Sequence, residues 1–273
     1  RKAPAGYRVE PIYASLDSMG YRYARQFTQK YLGLNKSHLV DQRIDYDQGD
    51  IFIGLDFQPQ VVKRQTHALR KMHDRGVIVK FVVYDLLPIM LPETFFPGDD
   101  EQHRLWLEAI TEFDGACCIS SAVADELRDW IKSFMPSREK TFAVSSFHLG
   151  VDPLPETLTP ATEALEDPVI SEALDSRTSF LMVGTLEPRK GHEQVLKAFE
   201  KLWRKGQNIN LIIAGKQGWR IEALADEIRN HKEYNHRLWW LEGLDDATIE
   251  SLYRKSSGLI AASLGEGFGL PLI

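Results

Sequence analysis

Short, near-continuous apolar runs alternate with longer amphipathic stretches along almost the whole sequence. In the first half the runs are YRVEPIYA, DIFIGLD, VIVKFVVYD, GACCIS and TFAVSSF. Between them lie GYRYARQFTQKYL, PQVVKRQTHALRKMHDRG, DEQHRLWLEAITEFD and AVADELRDWIKSFM, whose apolar residues recur at helical spacing. A strand without polar alternation is buried on both faces. Strands of that kind separated by helices form a parallel sheet with helices packed on either side. The pattern predicts an α/β, doubly wound fold. SSAVADEL reads as a capped helix start, with serine ahead of acidic residues in the first turn.

The alternation breaks once. Residues 151–177, VDPLPETLTPATEALEDPVISEALDSR, are rich in Pro, Thr and Glu, which is linker composition. It then resumes, with strands SFLMVGT, INLIIAG, RLWWLEGL and SGLIAASL between helices GHEQVLKAFEKLWRKG, RIEALADEIRNH and DDATIESLYRKS. The sequence therefore predicts two Rossmann-like domains with a cleft between them. Residues 1–150 form the first, 151–177 the linker and 178–273 the second.

Composition narrows the partners. The 273 residues carry a formal net charge of −6, which argues against nucleic acid as a ligand. No run approaches the roughly eighteen apolar residues of a membrane span. RKAPAGYRVEPIYAS has no apolar core of signal-peptide length. Cys117 and Cys118 are adjacent on an expected strand, so their side chains point to opposite faces and do not bridge readily. They fit two buried thiols in a reducing, cytoplasmic compartment. No His, Cys or Asp set has zinc spacing, and no metal site is expected.

Three strands of the second half end in loops of ligand-binding type: GTLEPRKG, GKQGW and LGEGFG. In a parallel sheet all three open on one edge, the carboxyl edge, where such folds bind ligands. In the first loop Gly184 lets the backbone turn, Pro188 fixes the approach, and Arg189 and Lys190 precede a helix whose free N–H groups favour anions. A planar fork beside a point charge suits a diphosphate. A solvated basic pair is the plainer alternative, and the convergence of the three loops weighs against it. GEGFG is neither a dinucleotide fingerprint, since Leu270 stands where glycine is needed, nor a P-loop. Gly267 and Gly269 admit close backbone approach. Glu266, acceptor-only when ionised, suits sugar hydroxyls better than phosphates. Pro271 belongs in the first turn of a following helix.

GTLEPRKG, then LIIAGKQGW, then SLGEGFGLPLI, resembles the retaining glycosyltransferases of family 4, which have the two-domain GT-B fold. The resemblance is specific over residues 181–273. It implies transfer of a sugar from a nucleotide-diphosphate sugar to a glycan or lipid-linked oligosaccharide acceptor in polysaccharide biosynthesis. Mannose, from GDP-mannose, is the expected sugar, and neither a metal nor a further cofactor is implied. By the same resemblance Arg189 and Lys190 grip the donor diphosphate, while Glu266 and the residues Gly267, Phe268, Gly269 and Leu270 hold the sugar. Gly184, Thr185, Gly215 and Lys216 line the donor side. A second glutamate, the ribose ligand of the family, would fall one place past Ile273. RKAPAGYRVEP looks like the tail of the family's first helix. Both ends of the chain are therefore expected to be truncated.

In the first half VVYDLLPIMLPETF is similar to the HDLIP-like strand end of mannosyl- and rhamnosyl-type members, and makes Asp85 a catalytic candidate on the acceptor side. Tyr84 stands where many relatives carry histidine. His148, in FHLGVD, reads as a hinge or packing residue. DYD at residues 45–47 mimics a metal-binding D-x-D but stands in a polar loop without the fold that uses it. GYRYARQFTQKYL interleaves aromatic residues with Arg22, Arg25 and Lys30. That pattern would suit peripheral contact with the inner membrane face, although a partly buried helix with a solvated basic face is the plainer expectation. The rival functions are a nucleotide-sugar epimerase on this fold and a non-catalytic nucleotide-sugar-binding fragment. An NAD-dependent oxidoreductase is weakest, because its fingerprint is missing.

Overall fold

A computed structural model describes residues 5–34, 39–150 and 168–272. The chain divides into two compact units, Arg1–Leu86 with Glu101–His148, and Leu87–Asp100 with Leu149–Ile273.

The first unit opens with two short strands, β1 (Ile12–Tyr13) and β2 (Arg22–Tyr23), paired antiparallel, and helix α1 (Arg25–Tyr31). The strand expected over residues 7–14 shrinks to β1. Pro11 has no N–H for a ladder, and Tyr7 and Val9 are 60% and 73% exposed. The helix expected from residue 20 starts at Arg25, because Arg22 and Tyr23 are already paired with β1. Gln65, fully buried, ties the 15–20 turn down: its amide nitrogen donates to the carbonyls of Ser15 and Ser18, and its oxygen accepts from Gly20 N.

The regular part follows as β3 (Ile51–Gly54), α2 (Pro59–Asp74), β4 (Ile78–Val83), α4 (Asp99–Ile110), β5 (Gly115–Cys118), α5 (Ser121–Phe134) and β6 (Ala143–Ser146), with α3 (Leu87–Met90), between β4 and α4 in the chain, belonging to the second unit. The strands form one parallel sheet in the order β3-β4-β5-β6. The helices bury one stripe each, Val62, Gln65, Leu69 and Met72 on α2, and Val123, Leu127, Trp130 and Ile131 on α5. Ser120 caps α5 by accepting from Val123 N at 3.2 Å.

The second unit contains α6 (Pro168–Ser176), β7 (Thr178–Val183), α7 (His192–Arg204), β8 (Ile209–Ala214), α8 (Glu222–Arg229), β9 (Leu238–Leu241), α9 (Asp246–Lys255) and β10 (Gly258–Leu259). All four strands are parallel, in the order β10-β7-β8-β9. Alternate residues serve two cores, as the pleat requires. Met182, Leu211 and Ile213 pack with Val195, Phe199 and Ile228 of α7 and α8 on one face. Leu181, Ile212 and Ala214 pack with Ile170, Leu174 and Leu252 of α6 and α9 on the other. Of the stretch with linker composition, residues 151–167 lie outside the described residues. Residues 168–176 are α6, whose Ile170, Ala173 and Leu174 form a buried stripe at helical spacing.

Residues 87–100 pack within this unit. Trp219 Nε1 donates to Thr94 O at 3.1 Å, its ring lies 6.0 Å from that of Phe95, and the Arg220 guanidinium donates to the carbonyls of Glu93 and Phe95. Arg220 adopts φ +53°, a left-handed backbone that costs a non-glycine residue about 1 kcal/mol or more.

Candidate functional site

The second sheet has one topological switch point. From β7 the chain runs outward to β8 and β9, then returns to place β10 on the other side of β7. In open parallel sheets the crevice at the carboxyl ends of the two strands flanking such a reversal is the ligand site. The loops that leave β7 and β10 are GTLEPRKG and the stretch ending in GEGFG.

Close backbone contacts lock the loops together. The ladder between β7 and β8 runs on past the strands, with Leu186 N donating to Lys216 O and Gly218 N to Leu186 O, both at 2.9 Å. A Cβ on Gly215 would stand 2.0 Å from Gly184 O, so only glycine permits this approach. On the other side Leu264 N donates to Arg189 O at 2.8 Å. Gly191, at φ +74°, is the N-cap of α7, and a Cβ there would meet Ala262 O at 2.3 Å. Two independent constraints, handedness and space, thus demand glycine at position 191.

The side chains that converge there are Glu187, Arg189, Lys190, Ser263 and Glu266. Pro188–Lys190 make a single 3-10 turn directly before α7. Lys190 Nζ donates to Glu266 Oε1 at 2.5 Å, and Ser263 Oγ donates to the same oxygen at 2.7 Å. Arg189 spreads its fork over both loops. Nη2 meets Glu187 Oε1 at 2.7 Å, and Nη1 reaches Gly265 O at 3.1 Å and Glu266 Oε2 at 3.5 Å. The Glu187 side chain is only 3% exposed, that of Glu266 31%. Burial acts to raise the Glu266 pKa, but the hydrogen bonds from Lys190 and Ser263 and the nearby cations outweigh it and hold the carboxyl below the usual glutamate range.

His192 begins α7 on its buried stripe. Burial, and then the Lys190 charge, lower its pKa to about 4, so the ring is neutral at pH 7. Its Nδ1 is buried without a hydrogen-bond partner. With Lys190, Ser263 and Glu266 it lines a cavity of about 30 Å³, which has room for about one water.

Of the expected donor residues, Gly184, Thr185, Arg189, Lys190, Gly215 and Glu266 are brought together at this edge. The Lys216 side chain is exposed. Gly267, Phe268, Gly269 and Leu270 follow on the β10 loop, with Leu270–Leu272 in a 3-10 turn. Sequence reasoning assigns Glu266 to sugar hydroxyls; in the structure its carboxylate sits on the basic pair. It did not single out Glu187, Ser263 or His192. Glu187 precedes the basic pair in the same loop, and His192 carries the helical spacing of core residues, so neither shows its role in local pattern.

Asp85 and Tyr84 belong to the first unit, at the carboxyl end of β4. Tyr84 is exposed and its hydroxyl donates to Leu55 O at 2.7 Å. Asp85 has two titratable neighbours that sequence reasoning missed. Burial lowers the His103 pKa to about 4 against the opposing pull of the Asp85 backbone. Burial, and then the Asp85 charge, raise that of Glu126. Among the described residues no group of three or more His, Cys, Asp or Glu is placed to hold a metal ion, and no helix is long and apolar enough to cross a membrane.

Comparison with known proteins agrees with this geometry. The family model "Glycosyl transferases group 1" matches residues 166–273. Three Escherichia coli proteins named serotype-specific mannosyltransferase WbdA are 36–37% identical over 98% of this chain. The chain spans about a third of their length, 32–33%. Among solved structures, a UDP-forming α,α-trehalose-phosphate synthase from Burkholderia vietnamiensis aligns with TM-score 0.58 at 15% identity, over 82% of this chain and 55% of its own. Anabaena Alr3699/HepE, solved with UDP, aligns with TM-score 0.55 at 14% identity, over 80% of this chain and 55% of its own. At such identity the likeness speaks for the fold, which is that of GT-B glycosyltransferases. Over residues 166–273 this chain is similar to the glycosyl transferases group 1 family.

Proposed function

We propose that this chain is part of a retaining, metal-independent glycosyltransferase of polysaccharide biosynthesis. It moves mannose from a nucleotide-diphosphate sugar, GDP-mannose, to a glycan or lipid-linked acceptor. The observation that carries the reading is the meeting of Lys190, Arg189 and Glu266 at the β7/β10 switch point. Names of relatives support the sugar and the class of leaving group: WbdA is a mannosyltransferase, and HepE was solved with UDP, a nucleoside diphosphate.

The chemistry follows from charge. As the sugar leaves, negative charge grows on the nucleoside diphosphate. Lys190 and the free N–H groups at the start of α7 are fixed where such charge is stabilised, with no reorganisation at the moment of reaction. Gly184 and Gly267 allow backbone N–H groups to approach closely. Glu266 accepts from sugar hydroxyls, and Asp85 in the first unit serves the acceptor side. A lipid-linked acceptor fits peripheral contact of a cytoplasmic protein with the inner membrane face through α1. None of its residues is buried, and its Phe27 and Tyr31 rings lie stacked and exposed, centroids 6.1 Å apart.

A thermal-shift panel of nucleoside diphosphates tests the reading. A diphosphate at a hundred times its Kd stabilises the fold by about 2.7 kcal/mol, and guanosine diphosphate should give the largest shift. No shift from any member would sink the proposal. Product analysis with and without acceptor separates transfer from epimerisation on the same fold.

A further inference from the structure

The cations that suit a diphosphate are already neutralised from within. Arg189 is paired with Glu187 and Lys190 with Glu266, so the four groups sum to no net charge. A diphosphate arriving at a neutral cluster meets two carboxylates at close range, and like charge repels it. The two carboxylates differ in their freedom to leave. Glu187 is 3% exposed and shares its loop with Arg189, so it moves only with the loop. Glu266 is 31% exposed and stands on the other loop, held to Lys190 by one hydrogen bond and to Ser263 by another, with a longer ion pair of 3.5 Å from Arg189 to its second oxygen. Ionised, it can only accept hydrogen bonds, so the groups that draw it off Lys190 are donors such as hydroxyls.

We propose that Glu266 is a specificity-determining place-holder: in the unliganded protein it occupies the phosphate position on Lys190, and it gives that position up only to a ligand that offers its carboxylate hydroxyls in exchange. This rests on the reading of the site as a nucleotide-sugar site. A free nucleoside diphosphate displaces Glu266 and offers its carboxylate no sugar. A nucleotide sugar brings the phosphate for Lys190 and the hydroxyls for Glu266 on one molecule. The pair therefore makes the site prefer the intact donor over the leaving nucleotide, and Glu266 returning to Lys190 helps expel the product.

The test is calorimetric titration of the intact protein and its Glu266→Gln variant with inorganic pyrophosphate, guanosine diphosphate and GDP-mannose. Gln keeps the shape and removes the charge. The expected result is tighter binding of pyrophosphate and of guanosine diphosphate by Glu266→Gln, by about tenfold or about 1.4 kcal/mol. The preference for GDP-mannose over guanosine diphosphate should shrink accordingly. Ser263→Ala, which loosens Glu266 without touching its charge, should shift both diphosphates the same way by less. If both variants fold, as circular dichroism would show, and bind diphosphates no tighter than the parent, the place-holder is overturned while the nucleotide site stands. If the parent and both variants bind none of the three ligands, the nucleotide-sugar reading and the place-holder fall together.

Discussion

Lys190 Nζ and Glu266 Oε1 stand 2.5 Å apart although 76 positions separate the two residues in the chain. The contact exists because β10 returns to the side of β7 and brings the end of one loop over the start of a helix. Everything proposed for the site depends on that return.

Lys190 and Arg189 should separate into different roles. Lys190→Ala removes a point charge from the phosphate position. It should lower the transfer rate by about 10²–10³ and weaken a nucleoside diphosphate far more than the bare nucleoside. Arg189 instead straps the two loops and partners the buried Glu187. Breaking a buried ion pair by removing one member costs about 3–5 kcal/mol, so Arg189→Ala should lower the melting temperature more than Lys190→Ala does. Equal melting temperatures for the two variants would remove the strut.

Gly191→Ala tests the loop lock. The new Cβ meets Ala262 O in a left-handed backbone, a strain of about 1–3 kcal/mol. Denaturant unfolding should register that loss, and nucleoside-diphosphate binding should weaken with it, because Leu264 N loses its hold on Arg189 O. Gly206, also at positive φ but with open space around it, is the control. Gly206→Ala should cost stability and leave binding alone.

Acid should weaken the fold in a defined window. His103 and His192 both have pKa values lowered from 6.5 to about 4, chiefly by burial. The unfolded chain therefore binds protons that the folded chain refuses between pH 6.5 and 4, so stability is full above pH 6.5 and falls as pH drops through that interval. Below it a second loss begins. Hydrogen bonding from Arg237, opposed by burial and aided by His236, holds Glu233 down from 4.5 to about 2, and that stabilisation is lost as pH falls from 4.5 toward 2. Urea titrations at pH 7 and pH 5 should differ. His192→Phe should flatten the difference, and an unchanged slope would mean that His192 is charged in the fold.

Arg220→Ala should release residues 91–96. The guanidinium holds two carbonyls of that stretch from a strained backbone, so the strain is maintained by the contact. Hydrogen exchange should quicken over residues 91–96 while β7 and β8 stay protected. If protection there is unaltered, the Trp219 contact alone suffices.

The sequence carried most of the α/β alternation and located the loops, because burial on both faces leaves an unbroken apolar run such as LIIA. It misjudged what depends on neighbours. The strand over residues 7–14 is mostly irregular because Pro11 interrupts any ladder, and α6 hides its short buried stripe in a stretch whose Pro and Glu content signals a linker. At the site, Arg189 and Lys190 were visible from their place before a helix. Glu187 and Ser263 were not, since each acts by pairing with a charged neighbour in its own loop, Arg189 and Glu266, which nothing in the local pattern marks. Glu266 was visible as a residue, while its contact with Lys190 was not. The negative charge that suits it to sugar hydroxyls also makes it a partner of Arg189 and of Lys190, the latter across 76 positions, and no local pattern shows such pairing.

The central claim is sugar transfer at the β7/β10 edge. Its most direct measurement is mass-spectrometric detection of products after incubating the intact protein with GDP-mannose and a mannose-containing oligosaccharide. The account predicts an acceptor heavier by one hexose, release of guanosine diphosphate that depends on acceptor, and loss of both in Lys190→Ala. GDP-mannose that binds yet yields no heavier acceptor, or a sugar isomerised in the absence of acceptor, would contradict it.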